Sequence, residues 1–222
     1  MNELKISSLY ADLDHTLAAP LLEKAEYPWD ILDCLAEFIR DTGKKLPSDE
    51  YDCIGENIYV SKSAKIAPTA YIGSPCIIGH GAEIRHCAFI RGSAIVGAGA
   101  VVGNSTELKN CVLFDGVQVP HFNYVGDSIL GYKSHMGAGA VTSNVKSDKK
   151  LVTVSFGGEK ISTGRKKFGA MLGDFVEVGC NSVLNPGTIV GRNTNIYPLS
   201  SVRGYVPADS IYKNGGTVVK KL

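Results

Sequence analysis

Two cations stand eighteen residues apart, Arg91 and Lys109, and twelve residues beyond the second comes His121, with Tyr124 close behind it. Guanidinium and ammonium groups hold phosphate through charge-assisted hydrogen bonds. An imidazole, whose ordinary titration falls near neutrality, can take the proton from an ammonium group that must become a nucleophile. On one surface these side chains would bind a phosphorylated amine and activate it. Singly, each basic residue is only solvated surface. Held close together, two like charges are costly unless something anionic lies between them. Their placement therefore depends on the elements that carry them.

Large apolar residues, most of them β-branched, recur at every sixth position: Ile54, Val60, Ile66, Ile72, Ile78, Ile84, Ile90, Val96, Val102, Leu108 and Phe114. Two places earlier sits a small residue in most hexads, as at Ala64, Ala70, Cys76, Ala82, Ala88, Ala94 and Ala100, and Gly often follows, as at Gly73, Gly79 and Gly97. No helix or ordinary strand has a period of six. The pattern is the hexapeptide repeat of a parallel β-helix. Each hexad supplies one short strand and one corner of a triangular prism, three hexads make a coil, and coils lie about 4.8 Å apart, the spacing of hydrogen-bonded strands. The residue after each large apolar one faces outward at a corner, so Arg91 and Lys109 stack on one edge. After Phe114 the phase slips, with sixteen residues to Leu130, and His121 and Tyr124 lie in the slip. It resumes at Leu130, Met136 and Thr142, and again, still in phase, at Leu172, Val178, Leu184, Val190, Ile196 and Val202. Between these runs, at about 144–169, Val152, Val154 and Phe156 before Gly157 and Gly158, then Lys160 and Ser162, predict an inserted β-hairpin. Its returning limb ends in Arg165, Lys166 and Lys167, a cluster suited to an anion.

Residues 1–50 lack the repeat and read as a helical N-terminal segment, with residues 51–222 as the β-helix domain. Pro28 marks a helix start, Ile31, Leu32, Leu35, Phe38 and Ile39 an apolar face, and Gly43 a stop, with an earlier helix expected around Leu17 to Lys24. Asp12, Asp14 and Thr16 spell a DxDxT phosphatase signature, but a helix cap is the cheaper account. His80 and His86 are one hexad apart, which places them on neighbouring faces and forms a zinc site poorly within one chain. Cys34, Cys53, Cys76, Cys87, Cys111 and Cys180 include no CxxC pair and are expected to be small packing residues. No metal is expected. The net charge of +1 offers no basic stripe for nucleic acid, and no apolar run approaches membrane-spanning length. With no signal peptide at Met1, a cytoplasmic protein is expected.

The repeat is similar to the left-handed β-helix of the hexapeptide acyltransferase superfamily. The hand comes from that resemblance, since parallel crossovers are normally right-handed. A more specific likeness is carried by Arg91, Glu107, Lys109, His121, Tyr124, Gly126 and Asp127, by GAG at Gly137 to Gly139, by Asn144, and by TGRKKFGAMLGD from Thr163 to Asp174. These resemble the acetyltransferase half of the bifunctional enzymes that make UDP-N-acetylglucosamine, and their archaeal sugar-1-phosphate relatives, over about residues 55 to 205. The resemblance implies acetyl transfer from acetyl-CoA to the amine of an amino-sugar 1-phosphate, most simply glucosamine 1-phosphate. It implies His121 as general base with Glu107 as its electrostatic partner. Arg91, Lys109, Tyr124, Asn144 and Lys167 would contact the sugar phosphate. His135 and Val145 would lie beside the sugar, where bacterial members carry Asn and Tyr. Cys180, Pro198 and Arg203 would contact acetyl-CoA, and a homotrimer would complete the site. Where the family carries a nucleotidyltransferase domain before the prism, this sequence has the short helical segment. The alternative expectation is thus a non-catalytic sugar-phosphate-binding or scaffold subunit paired with a separate nucleotidyltransferase.

Overall fold

The computed structural model describes residues 1–221, and from Ile58 onward the chain winds around three parallel faces. On the first face Val60, Ile78, Val96, Leu113, Leu130, Leu172, Val190 and Val206 stack in register. On the second, Ile66, Ile84, Val102 and Val119 are followed by Met136, Val178 and Ile196. On the third, Ile72, Ile90, Leu108 and Val125 are followed by Thr142, Leu184 and Val202. Ile66 and Ile72 are only partly buried at the open end, whereas from Ile78 the stacked residues lose nearly all contact with water. Each fully buried aliphatic side chain contributes about 1.5–3 kcal/mol, and stiff β-branched chains lose little freedom on entering a narrow interior. The result is a mainly β solenoid of stacked parallel coils, consistent with a left-handed β-helix.

Two residues of the sixfold series lie elsewhere. Ile54 is 57% exposed, because Tyr51–Gly55 pairs antiparallel with Ile58–Ser61 before the winding begins. Phe114 points out of the prism, its ring 4.8 Å from that of Tyr10. Leu108 stacks on Ile90 but Leu113, not Phe114, stacks on Val96. The corner at Asn110 is one residue shorter than the corner at Arg91–Ser93 below it, so the slip begins there rather than after Phe114.

The N-terminal segment contributes short helices, chiefly Ala19–Leu22, Pro28–Asp33 and Leu35–Gly43. The helix expected around Leu17 to Lys24 is a single turn, and Asp12 caps the turn Leu13–His15 by accepting from the Asp14 N–H. Leu9, Leu22, Trp29, Ile31, Leu35 and Ile39 are buried in the same apolar core as the prism residues. Asp174 staples the segment to one edge, accepting from the N–H of Ala11 (2.7 Å) and of Tyr132 (2.9 Å). Burial raises the pKa of this carboxyl. Cys76 and Cys111 fill core positions, burial pushing the Cys76 thiol up to about 12. The other four cysteines are exposed, contrary to the packing role expected of all six.

Between the third and first faces the chain leaves the rod as the hairpin Thr153–Phe156 with Glu159–Ser162. Gly157 and Gly158 take φ of 59° and 86°, which only Gly adopts in succession without strain. The rod continues beneath it in unbroken register, Leu172 pairing with Leu130.

Candidate functional site

The edge between the third and first faces carries Arg91, Lys109, Asp127 and Asn144 in successive coils. Asp127 is its centre, with a side chain only 3% exposed. Lys109 Nζ donates to both its oxygens at 2.8 and 3.0 Å, and Asn110 Nδ2 donates at 2.9 Å. The Asn144 amide donates to Asp127 and, at 3.1 Å, to the Tyr124 hydroxyl. That phenol lies over Gly126, where an added Cβ would come within 2.4 Å of its oxygen. Burial raises the Tyr124 pKa, and Asp127 and Glu107 add to the shift. One coil below, Arg91 Nη1 donates to Glu107 Oε1 at 2.8 Å, which holds the guanidinium still more firmly charged. The two stacked cations are therefore each answered by a carboxylate of the protein itself.

The returning limb of the hairpin is stitched to this edge. Phe168 N–H donates to the Asn144 carbonyl (3.0 Å) and Gly169 N–H to that of Asp127 (2.8 Å). Lys166 and Lys167 consequently line, with Lys109 and Asn110, a cleft of about 360 Å³. Arg165 is engaged elsewhere: Nη1 donates to Asp33 Oδ1 at 2.6 Å and Nη2 to the Asp30 carbonyl at 3.2 Å.

The edge between the second and third faces has a different character. Asn123, buried at the slip, accepts from the His121 N–H and donates to the carbonyls of Gly137 and Ala140, which fixes the corner. The His121 ring is exposed and makes no hydrogen bond among the described residues. Corner bonds from Gly139 N to His121 O, Asn181 N to Ala138 O and Leu199 N to Cys180 O place Cys180 and Pro198 in the coils above it. Phe122 is 56% exposed and Leu199 73%. An imidazole with no bound partner can accept a proton.

The remaining sequence candidates lie apart. Glu107 bonds Arg91 and makes no bond to the His121 ring. His135 sits on the second face over Gln118, its Nδ1 2.8 Å from Glu177 Oε2. Arg203 is on the basic edge, in a cleft of about 290 Å³ with Val145, Lys146 and Asn185, rather than with Cys180 and Pro198. His80 bonds Ser61 and pairs with Glu50, while His86 bonds Thr69 on another corner. Among the described residues no three His, Cys, Asp or Glu side chains converge as metal ligands would. No helix among the described residues is long and apolar enough to cross a membrane. In the sequence Asp127 enters only as part of the resemblance and has no role there; strand register sets Gly126 over Lys109 and brings Asp127 to the adjoining corner position. Asp33 carried no such signal.

Comparison with known proteins gives the following. Residues 76–206 match the family model described as GMPPB C-terminal domain. A bifunctional sugar-1-phosphate nucleotidylyltransferase/acetyltransferase of Sulfurisphaera tokodaii is 38% identical over 109 residues, 49% of this chain and 27% of that protein. The bifunctional protein GlmU of Methanococcus maripaludis is 30% identical over 198 residues, 88% of this chain and 48% of that protein. The chain thus spans about half, or less, of the length of these curated relatives. Among solved structures, the acetyltransferase domain of PglB from Neisseria gonorrhoeae in complex with acetyl coenzyme A aligns at 17% identity with a TM-score of 0.34, covering 68% of this chain and 52% of that one.

Proposed function

The chain belongs to the family of the GMPPB C-terminal domain, and from that premise we propose that it is an acetyl-CoA-dependent N-acetyltransferase of an amino-sugar 1-phosphate, with glucosamine 1-phosphate the first acceptor to test. The observation that carries the proposal is the pairing of an unengaged His121 ring with a cationic cleft across one narrow face of the rod. The names of the curated relatives, which couple sugar-1-phosphate chemistry to acetyl transfer, support it.

In this reading Lys109, Lys166 and Lys167 receive the phosphate, Arg91 and Tyr124 the sugar, and Asn144 keeps Tyr124 in place. His121 removes a proton from the acceptor ammonium. The freed amine attacks the thioester carbonyl, the C–N bond forms, and collapse of the tetrahedral intermediate breaks the C–S bond. His121 then returns the proton to the leaving thiolate, and the second proton that the nitrogen loses on becoming an amide passes to solvent. Orienting amine and thioester together supplies much of the acceleration. Acetyl-CoA would run along the edge of Cys180 and Pro198, in line with His121, and Arg203, on the other edge, is not part of that path. A homotrimer is the proposed working form, because Phe122 next to the ring and Leu199 three coils higher on the same edge leave large apolar side chains exposed for another copy to cover.

The test is thiol release from acetyl-CoA in the presence of a panel of phosphorylated amino sugars. Saturable release with glucosamine 1-phosphate is expected, and release with none of the panel would overturn the proposal. The alternative, a non-catalytic scaffold joined to a nucleotidyltransferase through the N-terminal helices, has less support, since those helices bury their apolar faces in the prism core.

A further inference from the structure

The N-terminal segment touches the cleft at a point the acyltransfer chemistry does not explain. Its helix Pro28–Asp33 grips the hairpin exit twice. Trp29, fully packed, lies with its ring 5.6 Å from that of Phe168, and Asp33 binds Arg165, whose side chain is only 11% exposed. Residues 165 and 168 are thus pinned, and the two lysines between them are the exposed ones. Arg165 Nε is buried without a partner, a donor the protein itself leaves unused. Around the cleft, Lys109, Arg165, Lys166 and Lys167 stand against Asp33 and Asp127, which leaves two positive charges over. A phosphomonoester, with its second pKa near 6, carries about two negative charges at neutral pH.

We propose that Asp33 is a positioning residue for the phosphate end of the acceptor: by holding Arg165 it fixes the hairpin exit, so that Lys166 and Lys167 stand with Lys109 on one cleft. The N-terminal segment is then the outer wall of the acceptor pocket. Asp33 touches no substrate; its carboxylate sets where the lysines are and cancels one charge, so that the cleft matches a dianion. The inference rests on reading this cleft as the acceptor's phosphate site.

Trypsin cleavage after Lys166 and Lys167 reads the exit directly, without turnover. The rate is measured with and without inorganic phosphate in the wild type, in Asp33→Asn, and in the exchange Asp33→Arg with Arg165→Asp. KM for the acceptor and for acetyl-CoA is measured alongside. Phosphate should slow cleavage of the wild type. That protection should weaken about two- to fivefold in Asp33→Asn, the scale of an ion pair whose Asp33 side chain stays 85% exposed while Arg165 is packed, and return in the exchange. KM for the acceptor should rise by a similar factor while KM for acetyl-CoA stays level. No phosphate protection in the wild type, or equal protection in Asp33→Asn, would overturn the proposal. A wild type without turnover that still shows this pattern of protection would sink acetyl transfer and uphold the wall. Turnover with an unchanged acceptor KM in Asp33→Asn would sink the wall alone.

Discussion

Two edges of the same rod are built on opposite principles. On the basic edge three of the candidate cations have a carboxylate in place: Glu107 on Arg91, Asp127 on Lys109, Asp33 on Arg165. On the other edge the His121 ring has no partner among the described residues, and Phe122 next to it and Leu199 three coils higher are apolar and exposed. The first is preorganised. Its charges are fixed before any ligand arrives, so little ordering remains to be done on binding. The second is unfinished in a single chain, and what it lacks is a surface to close it. A binding cleft profits from fixed charges, whereas a proton acceptor must be left unengaged.

The comparison breaks or sharpens under four substitutions. His121→Ala should lower kcat by about 10²- to 10⁴-fold, the usual worth of a general base, with acceptor KM nearly unchanged. An unchanged kcat would remove the ring from the chemistry. Asp127→Ala should act on stability as well as on binding. It strands Lys109, which keeps some access to water, so chemical denaturation should record a loss near the low end of the buried-pair range, about 3 kcal/mol. Undiminished stability would mean that the basic edge is not preorganised at all. Leu199→Glu places a charge at an apolar side chain that is 73% exposed on that edge. Sedimentation should then shift from an assembly toward the 23.7 kDa chain, with association weakened on the order of tenfold or more. If the wild type already sediments as a single chain, the apolar edge is complete alone. The remaining edge, where Asp174 holds the N-terminal segment, supplies the smallest effect. Burial raises this carboxyl above its ordinary 3.8, so in the window between the unfolded and folded values the native state holds a proton that the unfolded chain has released. Its stabilising contribution is full below the unfolded value and is lost as pH rises through the folded one. Denaturation at stepped acid pH should show that decline in the wild type and not in Asp174→Asn.

The prism was legible because a period of six has no competing explanation, and the stacking of Lys109 over Arg91 follows from it directly. What the period could not show was a corner one residue short. The deletion at Asn110 carries no compositional mark, and Phe114 is as apolar as the interior residues whose place it holds in the series. It packs on Tyr10, a residue that no repeat count connects to it. Pairing across faces was equally hidden. Glu107 is closer in sequence to His121 than to Arg91, but strand register sets it over Phe89 beside the arginine. His135 falls on the second face with Glu177, a partner forty-two residues away. The N-terminal helices could be recognised as helices, but not as part of the core, because an amphipathic pattern says that a face will be covered and not by what.

The excursion that carries Lys166 and Lys167 enters and leaves the rod without disturbing it, Leu172 resting on Leu130 as if no residues intervened. It is in effect a cassette, spliced at one corner of a scaffold that holds the imidazole on another. Exchanging the loop for one of different length or charge should alter which molecules are admitted while the winding continues undisturbed on either side. On the proposed reading, acceptor choice and proton transfer are carried on parts that can diverge, or be grafted, independently.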